Sequence, residues 1–326
     1  SKTPYRISFF GGGTDYPSWY LKNGGSVIST TIDKYIYISC RKLPPFFEHK
    51  HRIVWSKIET VKNINKIQHI AVREMLKIFK VKTGLEIHYD GDLPSRSGVG
   101  SSSVFVVGLM NLLNSFYNKK VKKKQLAINS IKFEQKILKE FVGSQDQIAA
   151  TYGGFNKIIF KSNGFFDVES IVIKKSVLNN LNKNLLLIYT GQKRTANNIA
   201  KTYVNKLENL KKNHMLEISS LVDQAELLLK NNNLDDFGRL LHESWLIKKK
   251  LSSSIANSSI NDIYNKALKS GALGGKLLGA GGGGFFLFYI PFEKQKFFIK
   301  SLSKFLTVPF KFSHEGSKIM FKNLEN

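Results

Sequence analysis

Apolar residues recur at two spacings along this chain, and each change of spacing marks an element. Alternation with period two runs through residues 27–40 (VISTTIDKYIYISC) and 84–93 (GLEIHYDGDL), the pattern of strands with one buried face. Over residues 65–80 and 104–117 the spacing lengthens to that of amphipathic helices. A further strand-like run, NKNLLLIYTG (182–191), opens a region dominated by helical patterns over 197–211, 216–230 and 234–251. GGGGFFLFYI (281–290) then places a strand directly after glycines. Helices and strands therefore mix in both halves, with a boundary expected near Asn180 that gives two domains, 1–180 and 181–326. No run approaches the roughly 20 apolar residues that cross a bilayer. Residues 1–10 lack the apolar core of a signal peptide, so a cytoplasmic enzyme is expected.

Composition sharpens this only a little. A chain of 326 residues, 42% hydrophobic, can bury a sizeable core and favours about two domains. The one cysteine, Cys40, has no partner for an internal disulfide, and its place in an alternating run reads as a half-buried strand residue, not a nucleophile. A net charge of +26 would suit nucleic acid or a membrane if it were clustered. The lysines instead are spread along the chain with abundant Asn and Ile, so we expect neither partner, although such a field also favours an anionic substrate. The densest run, NKKVKKK (118–124), reads as a solvated loop or helix start.

Candidate chemistry gathers in glycine-rich segments. DLPSRSGVGSSS (92–103) follows a strand and leads into the apolar run VFVVGLMNLL. Gly98 and Gly100 permit a tight turn and a close approach, and the helix start behind them offers free N–H groups and the positive end of a dipole to an anion. Ser101, Ser102 and Ser103 stand at that terminus, where they suit phosphate or Mg²⁺, or equally a plain serine N-cap. The segment is no Walker loop, because GxxxxGK[ST] occurs nowhere. Asp236-Phe237-Gly238 spells a kinase metal motif, but it lies in a helical pattern with no HRD upstream and reads as chance.

Two further segments add to it. In LLGAGGGG (277–284), Gly279, Gly281 and Gly284 satisfy GxGxxG, yet a strand follows where a dinucleotide fold needs a helix. A loop packed against a ligand or another backbone fits better. In YRISFFGGGTDY (5–16), Arg6 and Asp15 bracket an apolar strand and a glycine turn; by themselves they read as a surface ion pair.

In this order the three segments resemble the GHMP kinases, and the resemblance covers nearly the whole chain. PSRSGVGSSS is similar to the family's phosphate loop, P-x-x-x-G-L-G-S-S-A, with Val99 for leucine and Ser103 for alanine. LLGAGGGG, with Gly279, Gly281, Gly282 and Gly283, resembles the C-terminal glycine motif. YRISFFGGGTDY resembles the galactokinase signature, but Gly12 and Gly13 replace the acidic and histidine residues that contact galactose, which points away from that sugar. With GGGTDY and TGQKR included, the pattern most resembles the family's kinases of D-glycero-D-manno-heptose 7-phosphate, with fucokinase-like domains next.

The resemblance implies an α+β fold of two domains, ribosomal-S5-like at the N-terminus and ferredoxin-like at the C-terminus. It implies ATP bound at Gly98–Ser103, Asp146 in GSQDQ (143–147) as the catalytic aspartate, and Arg6 beside the transferring phosphoryl group. Glu134 and Ser102 would hold Mg²⁺, and Asp15, Gly12 and Gly13 would face the sugar. An acceptor that already carries phosphate needs a cationic clamp, for which Lys193, Arg194 after Thr190 and Gly191, and Lys248 are candidates, each also readable as solvated charge. Transfer would be direct and in line, from ATP to an anomeric hydroxyl, giving a 1,7-bisphosphate for a nucleotide-activated heptose. The chain would act as a monomer or homodimer. Rival readings are a fucose or other hexose 1-kinase, a sugar- or ATP-sensing regulator on a kinase scaffold, and a basic RNA-binding protein, the last lacking the aromatic RNP pattern.

Overall fold

The computed structural model describes residues 1–192 and 196–323. The first part of the chain runs β1 (Lys2–Phe10), α1 (Pro17–Asn23), β2 (Gly25–Lys42), β3 (His51–Val54), β4 (Ile58–Val61), α2 (Ile70–Ile78), β5 (Leu85–Gly91), α3 (Ser101–Phe116) and α4 (Lys123–Lys132). A π-helical turn at Phe133–Ile137 follows, then α5 (Gln145–Tyr152), β6 (Phe155–Phe160), β7 (Phe166–Ser170) and α6 (Lys175–Lys183). The second part comprises β8 (Leu185–Tyr189), α7 (Ala196–Lys201), α8 (Lys212–Lys230), α9 (Leu234–Lys249), α10 (Ser258–Lys269), β9 (Gly274–Leu277), β10 (Phe285–Tyr289), α11 (Gln295–Ser301), β11 (Leu306–Val308) and β12 (Phe312–Ser313).

β2 organises the first sheet. Its 18 residues are long enough to pair with β1, β5 and β6 and, near Thr31 and Ile32, with β12 from the far end of the chain. The resulting eight-stranded sheet has the order β4-β3-β5-β2-β6-β7, with β1 and β12 added against β2. All its pairings are antiparallel except β3 with β5. The second sheet, β11-β8-β10-β9, is antiparallel throughout. α3 is buried along most of its length, including Val104, Val106, Val107, Leu109 and Leu113, which is why its sequence is apolar on nearly every face. Phe237 of α9 meets Phe9 and Phe10 of β1 at ring-centroid distances of 5.6 and 5.1 Å, so one core continues from the first sheet to the second.

Two helical patterns break where the spacing predicts continuity. Residues 65–80 contain a 3₁₀ turn at Ile64–Lys66, and α2 begins only at Ile70, after His69 caps it by accepting from the Val72 N–H. Over 197–211, the buried Ile199, Tyr203, Val204 and Leu207 keep helical spacing. The chain nonetheless tightens to i−3 bonds at Thr202 and Tyr203, weak helix formers flanking a short α7. Cys40 lies in β2, where burial pushes its thiol up to about 12. The DFG tripeptide sits inside α9 with Phe237 fully buried, as its sequence context predicts.

Candidate active site

The site is built on the end of β1 and the starts of α3 and α5. β1 carries Arg6 into the interior, where its side chain is 4% exposed. Its guanidinium donates from Nε and Nη2 to the two carboxylate oxygens of Asp146, each at 2.6 Å, and from Nη1 to the Gly98 carbonyl at 2.6 Å. A planar fork meeting a carboxylate in this way fixes both partners in orientation as well as distance. Asp146 lies in the first turn of α5, 21% exposed, so its carboxylate is presented at the surface of a buried frame.

Gly98 and Gly100 both adopt positive φ, +86° and +82°, and Gly100 forms the cap of α3. A Cβ on Gly98 would stand 2.4 Å from the Leu278 carbonyl oxygen, because the glycine motif packs directly behind this loop and Gly279 faces it. Val99 O accepts from the Arg6 N–H at 3.2 Å, which ties the loop to β1. Ser101 and Ser103 are buried and Ser102 is exposed; Ser101 Oγ has no hydrogen-bond partner among the described residues. The result is a helix start with open N–H groups and hydroxyls, held beside a carboxylate and a guanidinium.

Glu134 sits on the π-helical turn and is fully buried. Ser102 Oγ donates to its Oε1 at 3.1 Å and Gln147 Nε2 donates to Oε2. No cation pairs with it among the described residues, and burial pushes its carboxyl up to about 8. A buried carboxylate without a counter-charge, touching a serine at an anion-binding terminus, fits a divalent cation. No cluster of three or more His, Cys, Asp or Glu is placed to hold a metal among the described residues.

Asp15 closes the other side. It is 2% exposed and accepts from the Gly13 N–H at 2.9 Å and the Gln145 N–H at 3.3 Å, while its own carbonyl accepts from the Ser144 N–H. Burial raises its pKa; the Gly13 N–H opposes that rise and the nearby Asp146 charge adds to it. Asp15 and Asp146 are thus held on adjoining backbone. Ser8 Oγ and Gln145 Oε1 are buried and unpartnered among the described residues, and both side chains border Gly12. Burial raises the pKa of Tyr16 and Tyr203, which share a hydrogen bond, and the nearby Asp15 charge adds to each rise.

The remaining expected residues fall into two groups. Lys248 donates to the carbonyls of Leu277 and Gly279, so it braces the glycine motif, and burial together with Lys276 and Arg6 lowers its pKa. Gly282 donates to the Ile255 carbonyl, and Gly281 and Gly283 pack against Ile255 and Gln192. Thr190 donates its hydroxyl to Gly284 O at 2.9 Å, whereas a Cβ on Gly191 would meet open space; among the described residues no hydrogen bond joins Thr190 to Asp15 or Asp146. Lys193 and Arg194 lie outside the described residues. Nothing in the linear pattern singles out Ser8, Gln145 or Tyr203. Lys276, 4% exposed on β9, donates to Phe9 O of β1 at 2.6 Å, and its only signal was its place ahead of the glycine motif.

A helix start with open N–H groups, a guanidinium locked to a carboxylate and a buried carboxylate without a counter-charge are parts that a phosphotransferase acting on a small molecule needs. Family models for the GHMP kinases N terminal domain and the GHMP kinases C terminal match residues 63–154 and 225–307. The chain belongs to the GHMP kinases, and it has their two-domain α+β fold and ATP-dependent phosphotransferase activity toward an alcohol. It is 30% identical to the D-glycero-alpha-D-manno-heptose 7-phosphate kinase of Campylobacter jejuni over 98% of this chain and 97% of that one. Its fold matches the crystal structure of a D-glycero-D-manno-heptose 1-phosphate kinase from Bacteroides thetaiotaomicron with a TM-score of 0.78 at 21% identity, covering 97% and 96% of the two chains. The mevalonate kinase of Methanocaldococcus jannaschii matches with a TM-score of 0.72 at 26% identity, covering 96% and 97%. The protein is a sugar kinase of this family. None of its described helices is long and apolar enough to cross a membrane.

Proposed function

We propose that the protein transfers the γ-phosphoryl group of ATP to the anomeric hydroxyl of D-glycero-D-manno-heptose 7-phosphate, forming the 1,7-bisphosphate. The observation that carries this reading is the polar lining beside Gly12: Ser8 Oγ and Gln145 Oε1 are buried without partners among the described residues, Ser8 two positions beyond Arg6 on β1 and Gln145 next to Asp146 with its backbone N–H on Asp15. Buried polar atoms without partners cost free energy unless a ligand completes them, and a polyhydroxyl acceptor supplies both donors and acceptors. The likeness to the Campylobacter jejuni enzyme over nearly its whole length supports the heptose phosphate as that acceptor.

Asp146 orients the acceptor hydroxyl and takes its proton late in transfer, with Arg6 fixing its carboxylate plane and facing the phosphoryl oxygens. The start of α3, Gly98 to Ser103, cradles the ATP phosphates. Ser102 and Glu134 would hold Mg²⁺, which would supply positive charge against the charge that develops on the phosphates. Asp15, Gly12 and Gly13 shape the sugar side. From the sequence we assign the acceptor phosphate to Arg194 with Thr190 and Gly191, and Lys248, whose pKa burial lowers, is the lesser candidate. We assign the ATP and acceptor sites to a cleft between segments 1–180 and 181–326.

One observation favours a neutral hexose instead. Lys248 spends two of its three N–H donors on backbone carbonyls, which weakens it as a phosphate clamp. Coupled-enzyme measurement of ADP release with Mg²⁺ and the heptose 7-phosphate, beside fucose, galactose and mannose, separates the two. Turnover confined to the heptose phosphate is expected; turnover on a neutral sugar that exceeds it would replace the acceptor while leaving the roles of Asp146 and Arg6 in place.

A further inference from the structure

Among α2, α3, α4 and the π-helical turn of the first domain lies a cavity of about 670 Å³, within the range of roughly 300–1,000 Å³ usual for small-ligand sites. Its wall comes from the end of α2, the middle of α3, the end of α4 and the π-helical turn. Met110, Phe79 and Phe133 make it apolar, and Ile78 and Ile137 stand about half exposed, at 50% and 47%. Around this surface stand three lysines, Lys119, Lys132 and Lys136, and no carboxylate lines the cavity. None of the three forms an ion pair among the described residues, whereas Lys77 nearby is already paired with Glu74. Asn129 offers a further donor: its Oδ1 accepts from Gln125, and its Nδ2 makes no hydrogen bond among the described residues.

An apolar hollow beside an amide donor and three cations with no carboxylate partner among the described residues, one of them, Lys119, resting 5.5 Å from the centre of the Phe79 ring, is complementary to one kind of molecule. We propose that this cavity is a binding site for a soluble single-chain amphipathic anion, its apolar chain against Met110, Phe79 and Phe133 and its phosphate or carboxylate head on Lys132, Lys136 and Lys119. The position also gives the site something to act on. Phe133 lines the cavity, and the next residue, Glu134, turns to Ser102 at the phosphate loop, both on a π-helical turn, a form that often marks adjustable segments. Occupancy therefore shifts nucleotide affinity through that turn, and by linkage nucleotide shifts the affinity of the amphiphile equally.

The test uses the full chain and dodecyl phosphate below its micellar concentration, followed by titration calorimetry, with dodecyl trimethylammonium and inorganic phosphate as controls. The expected result is one saturable site for dodecyl phosphate, weak or no binding of both controls, and a dissociation constant raised about tenfold in Lys119→Glu/Lys132→Glu, whose exposed positions off the π-helical turn leave folding and basal ATP turnover unchanged. Equal binding of the cationic amphiphile, an unaltered constant in the double variant, or uptake only onto anionic vesicles would overturn the site. An ATP dissociation constant that moves at least about threefold with dodecyl phosphate in the wild type, and not in the double variant, is expected for the coupling; an unmoved constant would overturn that part.

Discussion

Arg6 and Asp146, 140 residues apart in the chain, meet through two parallel hydrogen bonds of 2.6 Å. Each Asp146 oxygen keeps a further lone pair, so the carboxylate can still accept from a substrate hydroxyl while its plane is held. Asp146→Asn keeps the size but turns one of those oxygens into an N–H₂ that opposes the guanidinium. We predict that kcat falls by about 10²–10⁴ while the KM for ATP changes by less than about threefold. A steady-state comparison with the purified variant checks this. A parallel loss in ATP affinity would instead place Asp146 in nucleotide binding.

Glu134 gives a pH signature. Its folded pKa, about 8, lies above the usual carboxylate value of 4.5, so the folded state holds a proton that the unfolded state has released. That contribution to stability is complete below about 4.5 and is lost as pH rises through about 8. Glu134→Gln removes the titration. The difference in Tm, variant minus wild type, should grow more positive between pH 5 and pH 8.5 in metal-free buffer, and added Mg²⁺·ATP should stabilise the wild type more than the variant. A difference that stays flat with pH would show that Glu134 is not held protonated.

The acceptor side can be separated from the ATP side at Gly143. A Cβ there would lie 1.8 Å from Asp15 Oδ2, so Gly143→Ala must push the Asp15 carboxylate away from the Gly13 and Gln145 N–H groups that hold it. The expected outcome is a rise of about tenfold or more in acceptor KM, with the KM for ATP changed by less than about threefold. Initial-rate measurements with each substrate varied in turn decide it.

How much of this was written in the sequence differs by element. β2, β5, α3 and β10 follow from local periodicity because each has one persistent environment along its length. β12 has two residues and exists only because β2 is exposed to it from 280 residues away, so no local pattern announces it. The glycine loop at residues 98–100 carries its own signature, since positive φ demands glycine. Ser8 and Gln145 become interesting only once folding buries them without partners, and Lys276 only once β9 brings it under Phe9. Arg6 and Asp15 read as a surface pair on local grounds; folding buries both and gives Arg6 to Asp146 instead.

Lys276 provides the opposite sign to Glu134. Burial, with Arg6 adding repulsion and Asp15 partly offsetting it, lowers its pKa to about 7 from 10.5. Between those values the unfolded state binds the extra proton, so stability rises with pH and is lost as pH falls through about 7. Lys276→Met removes this dependence, and the Tm difference, variant minus wild type, should become less positive from pH 6 to pH 9, the reverse of Glu134→Gln. The same change also strips Phe9 O of its donor at the strand end that leads into Gly11–Asp15. Acceptor KM should therefore rise by about threefold to tenfold, and Lys276→Arg, which keeps a donor, should recover part of it. A pH-independent Tm difference together with unchanged acceptor KM would reduce Lys276 to a packing residue.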